Sequence, residues 1–67
     1  MPCFEFREFD LREGEWTGRV LTFPGATVGD AFRAFAQAVP THQQLVEGRT
    51  CCPCAPDVDT SWSVREQ

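Results

Sequence analysis

The chain has 67 residues, with ten acidic residues against six basic ones and a formal net charge of −4. This length supports one small domain with a modest core, spanning residues 1–67, and the acidic balance differs from the basic surface of a typical nucleic-acid-binding protein. No apolar run approaches the ~18 residues of a membrane span and no secretory leader opens the chain, so we expect a cytoplasmic protein that binds neither nucleic acid nor membrane.

The first part of the sequence predicts a β-hairpin over residues 3–23. Residues 3–11 alternate and are rich in phenylalanine, which is typical of a strand. The sequence Glu13-Gly14-Glu15 indicates a turn, and residues 19–23 indicate a second, shorter strand. The large apolar residues of the first strand change phase, so that two of them fall on each face: Phe4, Phe6, Phe9 and Leu11. We expect a bulge near residues 7–8 that returns all four to one face.

Residues 27–39 predict an amphipathic helix. Thr27 is a suitable N-cap, Asp30 lies where an acid favours the positive helix end, and Pro40 prevents continuation. The apolar residues follow helical spacing and form one stripe: Val28, Ala31, Phe32, Phe35, Ala36 and Val39.

The remaining residues predict a second short helix, a loop and a closing strand. Thr41 and Gln44 form a capping-box pair and Gly48 is a typical C-terminal stop, which favours a short helix over residues 41–48. The two prolines in residues 51–57 indicate a loop, and the alternation of residues 60–66 indicates a strand. The predicted fold is therefore α+β: a three-stranded antiparallel sheet packed under one main amphipathic helix.

The four cysteines leave several chemical interpretations open. Cys51 and Cys54 form a C-x-x-C sequence, but the helix that lowers the thiol pKa in thioredoxin-like enzymes is not predicted after it. A zinc site would need four ligands, and the candidates are Cys3, His42, Cys51, Cys52 and Cys54. A disulfide from Cys3 to the loop is a further possibility. A thiol-rich loop with buried cysteines is the interpretation that we prefer, with no metal or cofactor bound.

His42 is the only histidine and falls in the first turn of the predicted short helix. We expect it at the surface or at the helix cap, because no serine–acid constellation accompanies it. No phosphate-loop spacing of glycines is present either. The sequence therefore predicts a protein that is not an enzyme.

Acidic residues concentrate in the first fifteen positions, with Arg7 and Arg12 among them. In size, charge and plan the chain resembles phage-encoded anti-CRISPR proteins, many of which are acidic single domains that block surveillance complexes, some by mimicking DNA. The resemblance implies a non-catalytic inhibitor, a monomer or small homo-oligomer, that binds the basic groove of a CRISPR surveillance complex in the cytoplasm of the host cell. The residues expected to contact such a partner are Glu5, Glu8, Asp10, Glu13, Glu15, Trp16, Asp57 and Asp59.

An alternative comes from the hairpin followed by Thr27-Val28-Gly29-Asp30 and a helix. This order resembles the opening of the β-grasp sulfur carriers, which act through a C-terminal Gly-Gly. The present sequence ends in Arg65-Glu66-Gln67 and lacks that dipeptide. The alternative function is therefore a small metal-binding or thiol-handling protein centred on Cys51, Cys52 and Cys54.

Overall fold

A computed structural model describes residues 2–53, 55 and 57–67. Its elements, in chain order, are β1 (Cys3–Asp10), β2 (Glu15–Pro24), α1 (Val28–Ala38), β3 (Gln44–Val46), β4 (Thr50–Cys52) and β5 (Thr60–Glu66). The strands form one sheet in the order β2-β1-β5-β4-β3, and each neighbouring pair is antiparallel. The α+β class agrees with the prediction, whereas the predicted three-stranded sheet is wrong because the sheet has five strands.

The two additional strands occupy the segment for which the sequence predicted a short helix and the start of a loop. Leu45 lies opposite Cys51, and the two strands are joined by a tight turn in which the Arg49 N–H donates to the Val46 carbonyl at 3.2 Å. Glu47 and Gly48 have φ of 56° and 68°, the positive values typical of mirror-image hairpin turns. Gly48 therefore serves a hairpin turn and does not end a helix.

Helix α1 is confirmed where its sequence signals placed it. The Thr27 Oγ1 accepts a hydrogen bond from the Asp30 N–H at 3.3 Å, and the helix ends at Ala38, before the proline. Phe35 is fully buried and its ring stacks on that of Phe6, with centroids 4.4 Å apart. The ring of the buried Trp62 also lies close to Phe35, with centroids 5.2 Å apart. These three side chains form the centre of the core between α1 and the sheet.

The predicted bulge exists, but it lies in β2 and not in β1. Arg7 is paired with Val20 and Phe9 with Trp16, so one residue of β1 faces three residues of β2 around Gly18. Gly18 has φ of 88°, which suits a bulge. Strand β1 keeps an unbroken register with β5, so Phe9 stays on the face opposite the first two phenylalanines. The expectation that all four apolar residues would share one face is wrong.

The register divides the sheet into two faces, because directly paired residues project to the same side. Helix α1 packs on the face that carries Phe6 and Trp62. The opposite face, called here the second face, carries Glu5, Arg7, Phe9, Trp16, Val20, Thr22, Ser61, Ser63 and Arg65. No helix in the described part of the chain has the length and apolarity needed to cross a membrane.

Candidate functional site

The end of the β1–β2 hairpin gathers five of the predicted partner-contacting residues. Asp10 lies directly opposite Glu15 at the last rung of the hairpin, and Glu13 lies in the turn between them. The Leu11 N–H donates to the Asp59 carbonyl at 2.8 Å, which holds the segment before β5 beside the hairpin. The resulting surface, called here the acidic end, consists of Asp10, Glu13, Glu15 and Asp59, together with Asp57, which precedes Asp59 by two residues in the same segment.

Hydrogen bonds within the turn fix the geometry of the acidic end. The Asp10 Oδ1 accepts from the backbone N–H groups of Arg12 at 2.8 Å and Glu13 at 3.1 Å. This is the side-chain-to-backbone bonding with which aspartate stabilises turns. Gly14 completes the turn by donating its N–H to the Asp10 carbonyl at 2.9 Å. Asp10 therefore holds the turn as well as contributing charge.

Little positive charge opposes the carboxylates of the acidic end. The Arg12 guanidinium lies 2.5 Å from an oxygen of Asp59. Glu13, Glu15 and Asp57 are exposed, and their side chains make no ion pair or hydrogen bond with the other residues that the structure describes. Like charges directly opposite each other on paired strands are destabilising, so the Asp10–Glu15 pair carries a cost in stability.

Glu5 is separated from the acidic end and is neutralised on the second face. Only 8% of its surface is exposed, and Arg7 Nε and Arg65 Nε lie 2.7 and 3.3 Å from its Oε1. The Gln67 amide donates to Oε2 at 3.0 Å. That hydrogen bond, and then the charges of Arg65 and Arg7, hold the pKa of Glu5 below its ordinary value against the opposing effect of desolvation. Glu5 therefore acts within the sheet.

Glu8 projects to the face of α1, opposite the buried Trp62. Its Oε1 accepts from the Thr17 hydroxyl at 2.8 Å, and Arg19 lies 3.9 Å from its other oxygen. The Arg19 guanidinium also lies over the Trp62 ring, 5.4 Å from its centroid, a cation–π arrangement. The acidic residues of the first fifteen positions are thus divided. Asp10, Glu13 and Glu15 lie at the acidic end, whereas Glu5 and Glu8 lie further along β1.

Trp16 lies on the second face next to the acidic end. Its ring packs edge-on against Phe9, with centroids 5.0 Å apart, and 54% of the residue remains exposed. An open depression of about 330 Å³ follows along β2 at the bulge. Its lining residues are Arg7, Glu8, Trp16, Gly18, Arg19 and Val20. The sequence did not indicate that Arg7 and Val20 line the same depression as Trp16, because only the strand register places these residues together.

The cysteines do not form a recognisable metal site in the described residues. Cys51 and Cys52 lie in β4, not in the predicted loop, and Cys51 is fully buried opposite Trp62. Burial, and to a smaller extent the neighbouring Cys52, raises the pKa of the Cys51 thiol to about 12. Cys3 lies in β1, which β5 separates from β4. Cys54 lies outside the described residues, and among those residues no group of three or more potential ligands is arranged for a metal.

His42 is buried, with 1% of its surface exposed, so the predicted surface or helix-cap position is wrong. Its Nε2 lies 2.9 Å from the Thr60 carbonyl oxygen, which can only accept, so Nε2 carries a hydrogen. The Thr41 hydroxyl lies 3.0 Å from Nδ1. The ring also packs edge-on near Phe35 and Trp62. These contacts connect the segment after α1 to the start of β5, a long-range link that no local sequence signal indicates.

Comparison of the chain with protein-family models, with curated proteins and with solved structures gives no match. The features that bear on function are therefore the acidic end and the residues that surround it.

Proposed function

We propose that the protein is a non-catalytic acidic binding protein that inhibits a basic host protein or nucleoprotein complex, with a CRISPR surveillance complex as the expected target. The observation that supports this proposal is the acidic end, where Glu13, Glu15 and Asp57 are exposed and Arg12 is the nearby cation. If the protein is phage-encoded, it acts in the cytoplasm of the host cell.

The acidic end concentrates charge of the sign that a nucleic-acid-binding groove attracts. Duplex DNA carries closely spaced negative charges along its backbone. Asp10 and Glu15 lie directly opposite each other on paired strands, so two carboxylates project from neighbouring positions. A basic groove would attract such a surface at long range, and salt would weaken the attraction. Glu5 and Glu8 make no part of this surface, because they lie further along β1, opposite Arg65 and Trp62 of β5.

The described residues give less support to a metal-binding or thiol-handling function. A thiol must lose its proton to bind a metal or to attack another group. Burial opposes that loss at Cys51, whose pKa is about 12. A binding role for the acidic end is the function that we therefore put to the test.

The proposal is tested by displacement of a fluorescent DNA duplex from a panel of purified basic nucleic-acid-binding complexes, CRISPR surveillance complexes included. We expect the wild-type protein to displace DNA from one member of the panel, less strongly at high salt. The double variant Glu13→Lys/Asp57→Lys should lose about tenfold or more in potency, because it reverses two exposed charges of the acidic end.

A matched control makes a charge change of the same size at the opposite end of the sheet. Glu47 lies in the β3–β4 turn and Glu66 at the end of β5, and both are exposed. Glu47→Lys/Glu66→Lys should displace DNA nearly as well as the wild type. Equal inhibition by the two double variants would show that net charge alone matters, and full inhibition by Glu13→Lys/Asp57→Lys would refute the proposal.

A further inference from the structure

Strand β2 forms one edge of the sheet and is the longest strand, with ten residues. Trp16 and Val20, two of the three large apolar residues exposed in the described chain, lie on it, with 54% and 46% of their surfaces exposed. They share the second face, four residues apart, and Gly18 lies midway between them. A long edge strand with exposed apolar side chains is a template for pairing with another strand, and the bulge at Gly18 requires a partner strand with the same local twist.

The backbone of β2 presents hydrogen-bonding groups to this edge. The Gly25 N–H donates to the Pro2 carbonyl at 3.0 Å, and inward and outward groups alternate along an antiparallel pair. The N–H and C=O groups of Val20 and Thr22 therefore point away from β1. The Leu11 N–H donates to the Asp59 carbonyl of the β5 side, so by the same alternation the N–H and C=O groups of Phe9 point toward β5. Trp16, which is paired with Phe9, therefore points its own N–H and C=O groups away from β1.

These directions limit how β2 could pair with β2 of a second copy. In a symmetric antiparallel pair, outward-pointing residues must lie opposite each other, so the two-fold axis passes through a residue of the strand. An axis at Arg19 would place two arginines opposite each other, and an axis at Thr17 would pair only residues 15–19. An axis at Val20 would place Trp16 opposite Pro24, which has no N–H to donate.

An axis at Gly18 satisfies both the apolar and the charged side chains. Trp16 then lies opposite Val20 of the second copy, twice, and an aromatic residue beside a β-branched one is a favourable cross-strand pair. Glu15 lies diagonal to Arg19 of the second copy, within reach of long side chains. Gly18 has no side chain and nothing lies within 4 Å of the place where a Cβ would be, which leaves room for the indole rings.

We propose that two copies of the chain associate through β2, antiparallel about a two-fold axis at Gly18, and form one continuous ten-stranded sheet. The second copy is the occupant that this edge fits, because Trp16–Val20 and Glu15–Arg19 are complementary to themselves in this register. Glu15 belongs both to this edge and to the acidic end, but the association rests mainly on Trp16 and Val20, to which the proposed function assigns no role.

Sedimentation velocity from about 1 µM to about 1 mM tests the association, and we expect a reversible monomer–dimer equilibrium. Val20→Glu should raise the dissociation constant about tenfold or more, because it places a charge at the edge. Arg7, directly opposite Val20 in the monomer, can pair with the new carboxylate, so the fold should persist. Leu11→Ser is the control, since it removes the third exposed apolar residue, which lies outside β2, and should leave the dissociation constant unchanged within about twofold.

Amide hydrogen exchange tests the edge itself. The outward-pointing N–H groups of Trp16 and Val20, which pair with each other across the axis at Gly18, should exchange fast in dilute monomer and become protected at dimer-forming concentration. A chain that remains monomeric at about 1 mM would overturn the proposal. A dimer in which both amides still exchange fast would overturn it equally, because association would then use another surface.

Discussion

Glu5 lies on the second face of the sheet between two arginines, and Gln67 donates a hydrogen bond to its carboxylate. It belongs to the acidic run of the first fifteen residues, but these neighbours neutralise its charge. Sequence alternation predicts that Glu5 and Glu8 project to opposite faces of the sheet. It does not show that Glu5 pairs with Arg65 of β5, sixty residues later in the chain. The partners of a strand residue depend on strand order, which is a property of the whole chain.

The lowered pKa of Glu5 predicts a specific pH dependence of stability. The folded state favours the ionised carboxylate more than the unfolded state does, so this stabilisation is present above the unfolded pKa and is lost as the pH falls through the folded value. The difference in unfolding free energy between wild type and Glu5→Gln should be largest near neutral pH and shrink below the ordinary value of 4.5. Urea unfolding from pH 7 to about pH 3 measures it.

Glu13→Gln is the control for this experiment, since the Glu13 side chain has no ion pair among the described residues. The difference in unfolding free energy between Glu13→Gln and the wild type should change less with pH than the difference for Glu5→Gln. A Glu5→Gln difference that stays constant from neutral to acid pH would contradict the assignment of Glu5 to the arginine and glutamine contacts.

Cys51 and Cys52 are adjacent but should differ strongly in reactivity. A pKa of about 12 leaves Cys51 with about a thousandfold less thiolate than an ordinary cysteine near neutral pH. In the folded protein, iodoacetamide at about pH 8 should therefore alkylate the partly exposed Cys52 well before Cys51, as read by peptide mass spectrometry. In urea the two should react at similar rates. Equal rates in the folded protein would show that Cys51 is not held as a buried thiol.

At the scale of elements, the β3–β4 hairpin is the part that sequence patterns did not reveal. Its strands have three residues each, too short for alternation to be distinctive, and Thr41 with Gln44 imitates a helix-capping pair. Helix α1 was predictable because eleven residues repeat one apolar spacing between a clear cap and a proline. The bulge was predicted in the wrong strand, because the phase change in β1 is real and its phenylalanines do divide between the two faces.

The turn of this hairpin makes a prediction about stability. Gly48 has φ of 68°, where an added Cβ is unfavourable, so Gly48→Ala should lower the free energy of unfolding by about 1 kcal/mol. Glu47 also has a positive φ, of 56°, and asparagine tolerates that region better than glutamate. Glu47→Asn should therefore raise the free energy of unfolding by about 0.5 kcal/mol. Urea unfolding measures both, and a stabilising Gly48→Ala would exclude this turn geometry.

At the scale of the whole molecule, the acidic end and the β2 edge adjoin at Glu15, the first residue of β2. The acidic run was visible in the sequence, and the Leu11–Asp59 hydrogen bond and the Asp10–Glu15 pair bring part of it together at that end. The edge was not visible in the sequence, because it follows from β5 pairing with β1 and leaving the far side of β2 without a neighbour. A dimer through β2 would place two acidic ends at opposite ends of one sheet.

The central position of β5 also has a consequence for how the chain reaches its fold. β5 joins the β1–β2 hairpin to the β3–β4 hairpin, and Phe4 pairs with Glu66 across nearly the full length of the chain. Contacts between residues so distant in sequence require closure of a long loop before they stabilise anything, and folding is slow where such contacts dominate. Without residues 60–66 in place, no strand joins the two hairpins and Trp62 does not pack against Phe35 of α1. The acidic end depends on the same docking, because the Leu11–Asp59 hydrogen bond joins its two segments.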